Sequence, residues 1–273
     1  MKLMPFVCLV YPWMNGVDLA RILPRALREL RRNSIDWRER LVIARSLPKV
    51  VILEDPHVYI ISLMRTPERR LALVSDLTRL NVPFKVSFAT DGLLHFAEKD
   101  LFKYAGLRRR HKIALSNRHL KFGTRSYLHE RLRFGCYLSH VRIWEQLADS
   151  NISHIVILED DVLVSEEFPN KLAKMLKQLP YNWDVFYLNS CYTKFGGTLV
   201  PGIRQVKGAL CTYGYAVSRV GANKILRNTA RNCDKPVDHM LDQAIYSAVV
   251  HAYQAEPPII FPRKIESTLA YPS

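Results

Sequence analysis

The chain has 273 residues, 48% hydrophobic and 24% charged, long enough to bury a real core and too ordinary in composition for a disordered, collagenous or miniature disulfide-stapled class. Forty lysines and arginines against 25 acids give a net charge of +15, which selects anionic partners: nucleic acid, acidic membrane surfaces or phosphorylated small molecules. Five cysteines (Cys8, Cys136, Cys191, Cys211, Cys233) form an odd set with no CxxC pair. They read as buried free thiols of a reducing compartment, not as a disulfide framework or a zinc site. The run Leu3–Met14 contains Pro5 and Pro12 and lacks a small-residue cleavage pattern, so no signal peptide is read. No stretch reaches the roughly 20 apolar residues that span a bilayer. A cytoplasmic protein is expected, with any membrane contact peripheral on the inner surface.

In chain order, an N-terminal extension (1–56) comes first, where Leu19, Ile22, Leu23, Ala26, Leu27 and Leu30 fall at helical spacing between arginines. This basic amphipathic helix either packs on the main domain or lies on a membrane surface, and Pro24 fits its first turn. A domain of residues 57–262 follows, then a tail, 263–273. The domain opens with a strand at His57–Leu63, a helix with Thr66 as N-cap, Pro67 at its first position and a stripe of Leu73, Val74, Leu77 and Leu80, and a strand at Phe84–Phe88. Glu98–Arg133 carries eleven lysines and arginines against three acids without periodicity, the pattern of a functional or disordered loop. From Phe134 a helix is set by Leu138, Val141, Trp144 and Leu147; Cys136 reads as core. The strand HIVILEDD, a helix over 165–178, the strand WDVFYLN, a turn at Gly196–Gly197 and the strand ALCTYGYAVS continue the alternation. Helices over 219–228 and 237–250 close it. The order is α/β, and open sheets of that class bind ligands beyond the carboxyl ends of their strands.

The sharpest chemistry lies at Ile155–Asp161, an apolar strand that ends in three acids. Three adjacent carboxylates need solvent, a helix to cap, or a cation. Strand alternation puts Glu159 and Asp161 on one side and Asp160 on the other, and two oxygens on one side suit Mg²⁺ or Mn²⁺. VILED occurs twice, at Val51–Asp55 and Val156–Asp160, but only the second copy continues with an acid. The metal is therefore assigned to the second.

Several blocks in order resemble glycosyltransferase family 25, which includes bacterial lipooligosaccharide and animal collagen galactosyltransferases: VYIISLMRTPERR, VPFKVSFATDG, FGCYLSHVRIWEQL, IVILEDDV, TYGYAVSRVGANKIL and PVDHMLDQ. The resemblance implies a GT-A-like nucleotide-sugar transferase fold with a mixed, mostly parallel sheet flanked by helices. It implies a UDP-hexose donor (galactose first, glucose in some members), Mn²⁺ or Mg²⁺, and inversion at the anomeric carbon. Glu159 and Asp161 then stand at the D-x-D position as metal ligands, with Asp160 among the donor contacts. Arg65 and Arg70 match as donor contacts, Arg69 beside them; each also reads as a solvated helix arginine. Ser139 and His140 match the LSH block as donor-site residues, against a purely structural reading of the histidine. Asp238 matches the PVD position as the base for the acceptor hydroxyl, or is a helix-entry acid favoured by the dipole. Asp242 lies one turn on, and His239 and His251 are alternative metal ligands. Tyr213 and Tyr215 flank Gly214, either as a sugar platform or as core residues. The basic segment is expected to order when donor binds and to hold an anionic acceptor or membrane surface.

The acceptor is expected to be a glycan, glycolipid or protein, as in lipopolysaccharide biosynthesis. A non-catalytic polyanion-binding module on the same scaffold is the competing reading. Nucleic acid is not an expected partner: Phe102, Tyr104, Phe122 and Tyr127 interleave with basic residues, but no nucleic-acid fold is read.

Overall fold

The computed structural model describes residues 57–92, 125–229 and 235–263. The extension, its amphipathic helix, the first VILED copy, residues 98–124 of the basic segment and the tail after Arg263 lie outside the described residues.

The strand β1 (Val58–Ser62) is buried along its whole length, as an apolar, β-branched run permits. The helix α1 (Pro67–Arg79) starts at the expected proline and buries Leu73 and Leu77. Thr66 stands at the N-cap, but its hydroxyl reaches back to the Leu63 carbonyl at 3.4 Å. The short strand β2 (Phe84–Phe88) follows as expected. The helix α2 (Arg125–Ala148) begins nine residues before the expected start at Phe134. Arginine is a good helix former, and Arg131 is itself buried, its Nε donating to the Gly92 carbonyl at 2.8 Å. A tertiary bond of this kind leaves no periodicity to read.

Next come β3 (His154–Glu159), β4 (Val162–Val164), α3 (Phe168–Gln178) and β5 (Val185–Asn189). Two corrections follow. Gly196 and Gly197 lie inside β6 (Tyr192–Val200), and the chain turns at Pro201–Gly202, where Gly202 takes φ +92°. The single strand expected from Ala209 to Ser218 is two, β7 (Ile203–Leu210) and β8 (Gly214–Ser218), broken where Cys211 takes φ +70°. The chain then forms α4 (Arg219–Thr229), α5 (Val237–Tyr246), β9 (Ala252–Ala255) and β10 (Ile260–Pro262).

The eight-stranded sheet runs β2-β1-β3-β8-β5-β9-β7-β6, and β4 pairs with β10 separately. It is mixed, with β2, β1 and β3 parallel, β5 parallel to β9 and the other pairings antiparallel. The architecture is α/β with helices on both faces, compatible with the GT-A-like expectation. Alternation along β3 feeds two cores: Ile155 and Ile157 pack with α2, α4 and α5, Val156 and Leu158 with α1 and α3.

The cysteine reading is overturned in part. Cys191 and Cys211 form a disulfide, because the β6/β7 hairpin pairs Tyr192 with Leu210 and brings their neighbours to 5.6 Å between Cα atoms. Twenty residues of separation hide this contact until the hairpin is known. Cys136 is a free, half-buried thiol.

Candidate functional site

Parallel pairing of β1 with β3, Ile61 opposite Glu159, brings their carboxyl ends together. Residues 61–63 and 159–161 form one wall of a pocket; Ala89–Gly92 and the α2 residues Leu132, Cys136, Ser139 and His140 form the other. Glycines permit this closeness. A Cβ on Gly135 would lie 2.4 Å from the Thr90 carbonyl oxygen, and one on Gly92 would lie 2.0 Å from that of Arg131. Ser139 fastens the same junction: its buried hydroxyl accepts from the Thr90 N–H at 2.8 Å and donates to the Gly135 carbonyl at 2.6 Å.

All three acids of the strand end line this pocket, Asp160 included. The strand stops at Glu159 and the chain turns through Asp160 and Asp161, so simple alternation does not carry past β3. Arg69, in the first turn of α1 and 8% exposed, closes on Asp160 Oδ1 at 2.9 Å and Asp161 Oδ2 at 2.8 Å. Asp161 Oδ1 is buried without a hydrogen-bond partner. Burial, joined by the Glu159 charge and only partly offset by Arg69, pushes the Asp161 carboxyl up to about 6. Burial also raises Asp160, against the Ser62 hydroxyl and Arg69. Glu159 goes the other way: burial raises it, but the His140 ring, the Thr212 hydroxyl at 2.6 Å and Arg69 outweigh that and hold it low. Against three carboxylates stands one buried arginine, so the pocket carries surplus negative charge.

The remaining expected residues surround this centre. His140 is fully buried, with Nε2 3.7 Å from Glu159 Oε1. Arg65 pairs with Asp91 at 2.7 Å on the pocket rim. Arg70 donates to the Ser62 hydroxyl at 3.0 Å and the Leu63 carbonyl at 3.1 Å, bracing the end of β1. Tyr213 is half-buried beside the acids, its phenol raised by burial and by the charges of Asp161 and Glu159, while its carbonyl accepts from the Glu159 N–H at 2.9 Å. Gly214 does not open a path for a sugar; the space beside it is filled by core side chains, with Ile260 Cδ1 2.4 Å and Leu158 Cδ2 2.8 Å from where a Cβ would stand. Tyr215 is fully buried in the core.

Asp238 does not line the pocket. Its Oδ2 accepts from the Cys211 N–H at 3.1 Å and its Oδ1 from the His239 N–H at 2.9 Å. It is close enough to the pocket wall that, after burial and the Glu159 charge, its own charge helps hold the Cys136 thiol well above the usual range. Asp242 accepts from the Ala209 N–H at 3.0 Å. His239 and His251 do not line the pocket; the only described trio with metal-ligand spacing is Cys136, His140 and Glu159, whose ligand atoms lie within 4.8 Å of one another.

Sequence reasoning underrated Arg69 and missed Cys136 as a pocket group and Thr212 as the donor that holds Glu159. The available signal for Arg69 was its place in the first turn of the helix that leaves β1.

Residues 55–241 match the model of a family described as glycosyltransferase family 25 (LPS biosynthesis protein). The chain belongs to glycosyltransferase family 25. It is similar to the probable inactive glycosyltransferase 25 family member 3 of Rattus norvegicus, 26% identical over 224 residues that cover 79% of this chain and 37% of that protein. It is likewise similar to procollagen galactosyltransferase 2 of Mus musculus (25% over 226 residues, 75% and 35%) and procollagen galactosyltransferase 1 of Danio rerio (25% over 225 residues, 75% and 36%). This family 25 chain spans about a third of the length of these relatives. Relatives named inactive and relatives named as galactosyltransferases match it at nearly equal identity, so the pocket itself has to carry the functional argument.

Proposed function

We propose that this family 25 chain is an inverting transferase that moves a hexose, galactose first, from a UDP-sugar to a hydroxyl of a glycan, glycolipid or protein acceptor. The observation that carries the reading is the pocket at the ends of β1 and β3, where three carboxylates face one buried arginine and Asp161 Oδ1 is left without a partner.

Mn²⁺ or Mg²⁺ fits these residues, because the donors are hard oxygens, the local charge is in surplus and one buried oxygen is free to bind. Asp161 and Glu159 would hold it, and when bound it supplies positive charge against the departing diphosphate. The chain's own groups do the rest. Arg69 fixes Asp160 and Asp161 relative to each other. Arg65, 39% exposed on the rim, offers a cation to the phosphates. Arg70 keeps the β1 end in place. Asp238, which the Cys211 N–H orients outside the pocket lining, would take the proton of an acceptor hydroxyl that enters from that side.

No described helix is long and apolar enough to cross a membrane. The Cys191–Cys211 disulfide favours an oxidising compartment over the cytoplasm expected from the cysteine count.

A second reading, a non-catalytic scaffold that binds polyanions, is favoured by the relatives named inactive. UDP release from UDP-galactose and UDP-glucose, measured with Mn²⁺ and with chelator against a panel of acceptors, separates the two. Metal-dependent release that rises with acceptor supports transfer; UDP binding without release supports the scaffold.

A further inference from the structure

Beneath the pocket, three fully buried side chains form a directed hydrogen-bond chain. Trp144 Nε1 on α2 lies 2.9 Å from the Tyr215 hydroxyl on β8, which lies 2.8 Å from His140 Nδ1. His140 lines the pocket, and its other ring nitrogen, Nε2, is buried beside Glu159 without a partner at hydrogen-bond length.

The direction of this chain follows from donor counting. An indole N–H only donates, so the Tyr215 oxygen accepts from Trp144. Among the described residues the hydroxyl then meets one acceptor for its own proton, His140 Nδ1. With Nδ1 occupied as an acceptor, the ring proton sits on Nε2. Placing it on Nδ1 would strand the Tyr215 proton in a fully buried setting.

The Nε2–H faces Glu159 Oε1 at 3.7 Å, beyond hydrogen-bond length, and that oxygen already accepts from Thr212 at 2.6 Å. The donor is therefore held only by this long contact with Glu159, and an acceptor seated in the pocket would compete with a weak partner. By residue type, Cys136, His140 and Glu159 would suit zinc, but a ligating histidine presents a bare nitrogen to the metal and donates from the other one. The Trp144–Tyr215 pair enforces the reverse.

We infer that Trp144 and Tyr215 are positioning residues that hold His140 as an Nε2–H donor to an oxyanion of the pocket's ligand, and that this trio is not a transition-metal site. The identity of that oxyanion as a diphosphate oxygen rests on the transferase reading; the placement of the proton does not.

Protein carrying ¹⁵N in its nine histidine rings tests this, with the His140 signals identified by their loss in His140→Gln. The expected spectrum of the free protein shows a protonated Nε2 and a bare Nδ1, and the opposite pattern overturns the inference. Tyr215→Phe, which removes one oxygen, is expected to give a mixture of both forms; a ring that stays wholly Nε2–H overturns the positioning role. Co²⁺ alone is expected to give no thiolate-to-cobalt absorption band, and a band that disappears in Cys136→Ser makes the trio a metal site instead. UDP with Mn²⁺ is expected to move the His140 Nε2 signal, and an unmoved signal overturns the oxyanion role. Calorimetry on the same samples shows whether UDP binds at all, so failure of the transferase reading is seen separately from a wrong proton placement.

Discussion

Acids occur on both sides of the sheet, and they are held differently. On the β5–β9–β7 side, Asp184 accepts from the His251 N–H at 2.8 Å and Lys224 at 2.6 Å, Asp242 from the Ala209 N–H and Asp238 from the Cys211 N–H. Their charges fix loops and strand ends. On the β1–β3 side, Asp160 and Asp161 share one arginine; Oδ1 of Asp161 has no hydrogen-bond partner, as is true of Oδ1 of Asp184, but only Asp161 lines the pocket. An acid anchored to the main chain is part of the scaffold; an acid left short of partners beside a pocket is available to a ligand. Asp238 stands between the two classes, anchored at one edge and near the pocket wall at the other.

The strongest way to break this contrast is to exchange Asp161→Asn with Asp242→Asn. The first is expected to abolish Mn²⁺-dependent UDP binding in calorimetry and the second to leave it intact; equal losses would erase the distinction. Asp238→Asn is expected to lower transfer by about a hundredfold with UDP-sugar affinity nearly unchanged, as loss of a base does. An equal fall in affinity would move Asp238 into the ligand-holding class.

Arg69→Met leaves two buried carboxylates facing each other without their cation. Thermal melts at pH 7.5 should show a loss of about 3–5 kcal/mol, partly restored by Mn²⁺ or by lowering the pH. A smaller effect comes from Asp161 itself, whose carboxyl stands at about 6 against an ordinary 3.8. The folded state holds this proton when the unfolded state has released it, so the group stabilises fully below about pH 4 and that stability is lost as pH rises through 6. Metal-free wild type should therefore weaken relative to Asp161→Asn across that window, by roughly 2–3 kcal/mol at most. Mn²⁺ should close the gap at pH 7; a gap of the opposite sign would show that the carboxyl is not raised.

Much of this was legible in the sequence because it depends on local pattern. Val58–Ser62, Pro67–Arg79 and the buried stripe Leu138, Val141, Trp144 and Leu147 announce themselves by apolar spacing, and the acids at 159–161 by their clash with the strand before them. What escaped depends on contacts far apart in the chain. Arg125–Arg133 is helical partly through a bond from Arg131 to Gly92, thirty-nine residues away. The disulfide needs a hairpin whose turn is marked by Gly202 and not by the more conspicuous Gly196–Gly197 pair. Arg69 outranks its neighbours because it reaches Asp160 and Asp161 beyond β3, whereas Arg65 pairs with Asp91 and Arg70 with Ser62, contacts that lie far off in the chain or in the fold of the turn.

The junction at Gly92 and Gly135 bears on how such a pocket can evolve. At these two glycines the walls are spaced by main chain resting on main chain, with no side chain at the point of contact to lengthen or trim. Point mutation at the contact has only one direction available, outward, and even alanine forces the walls apart because the obstructing atoms are backbone. Variation in what the pocket admits is therefore channelled to the rim, where Arg65, Asp91 and Tyr213 can change one at a time. Lineages that needed a wider cleft would be expected to show insertions or deletions near residues 89–92, not substitutions.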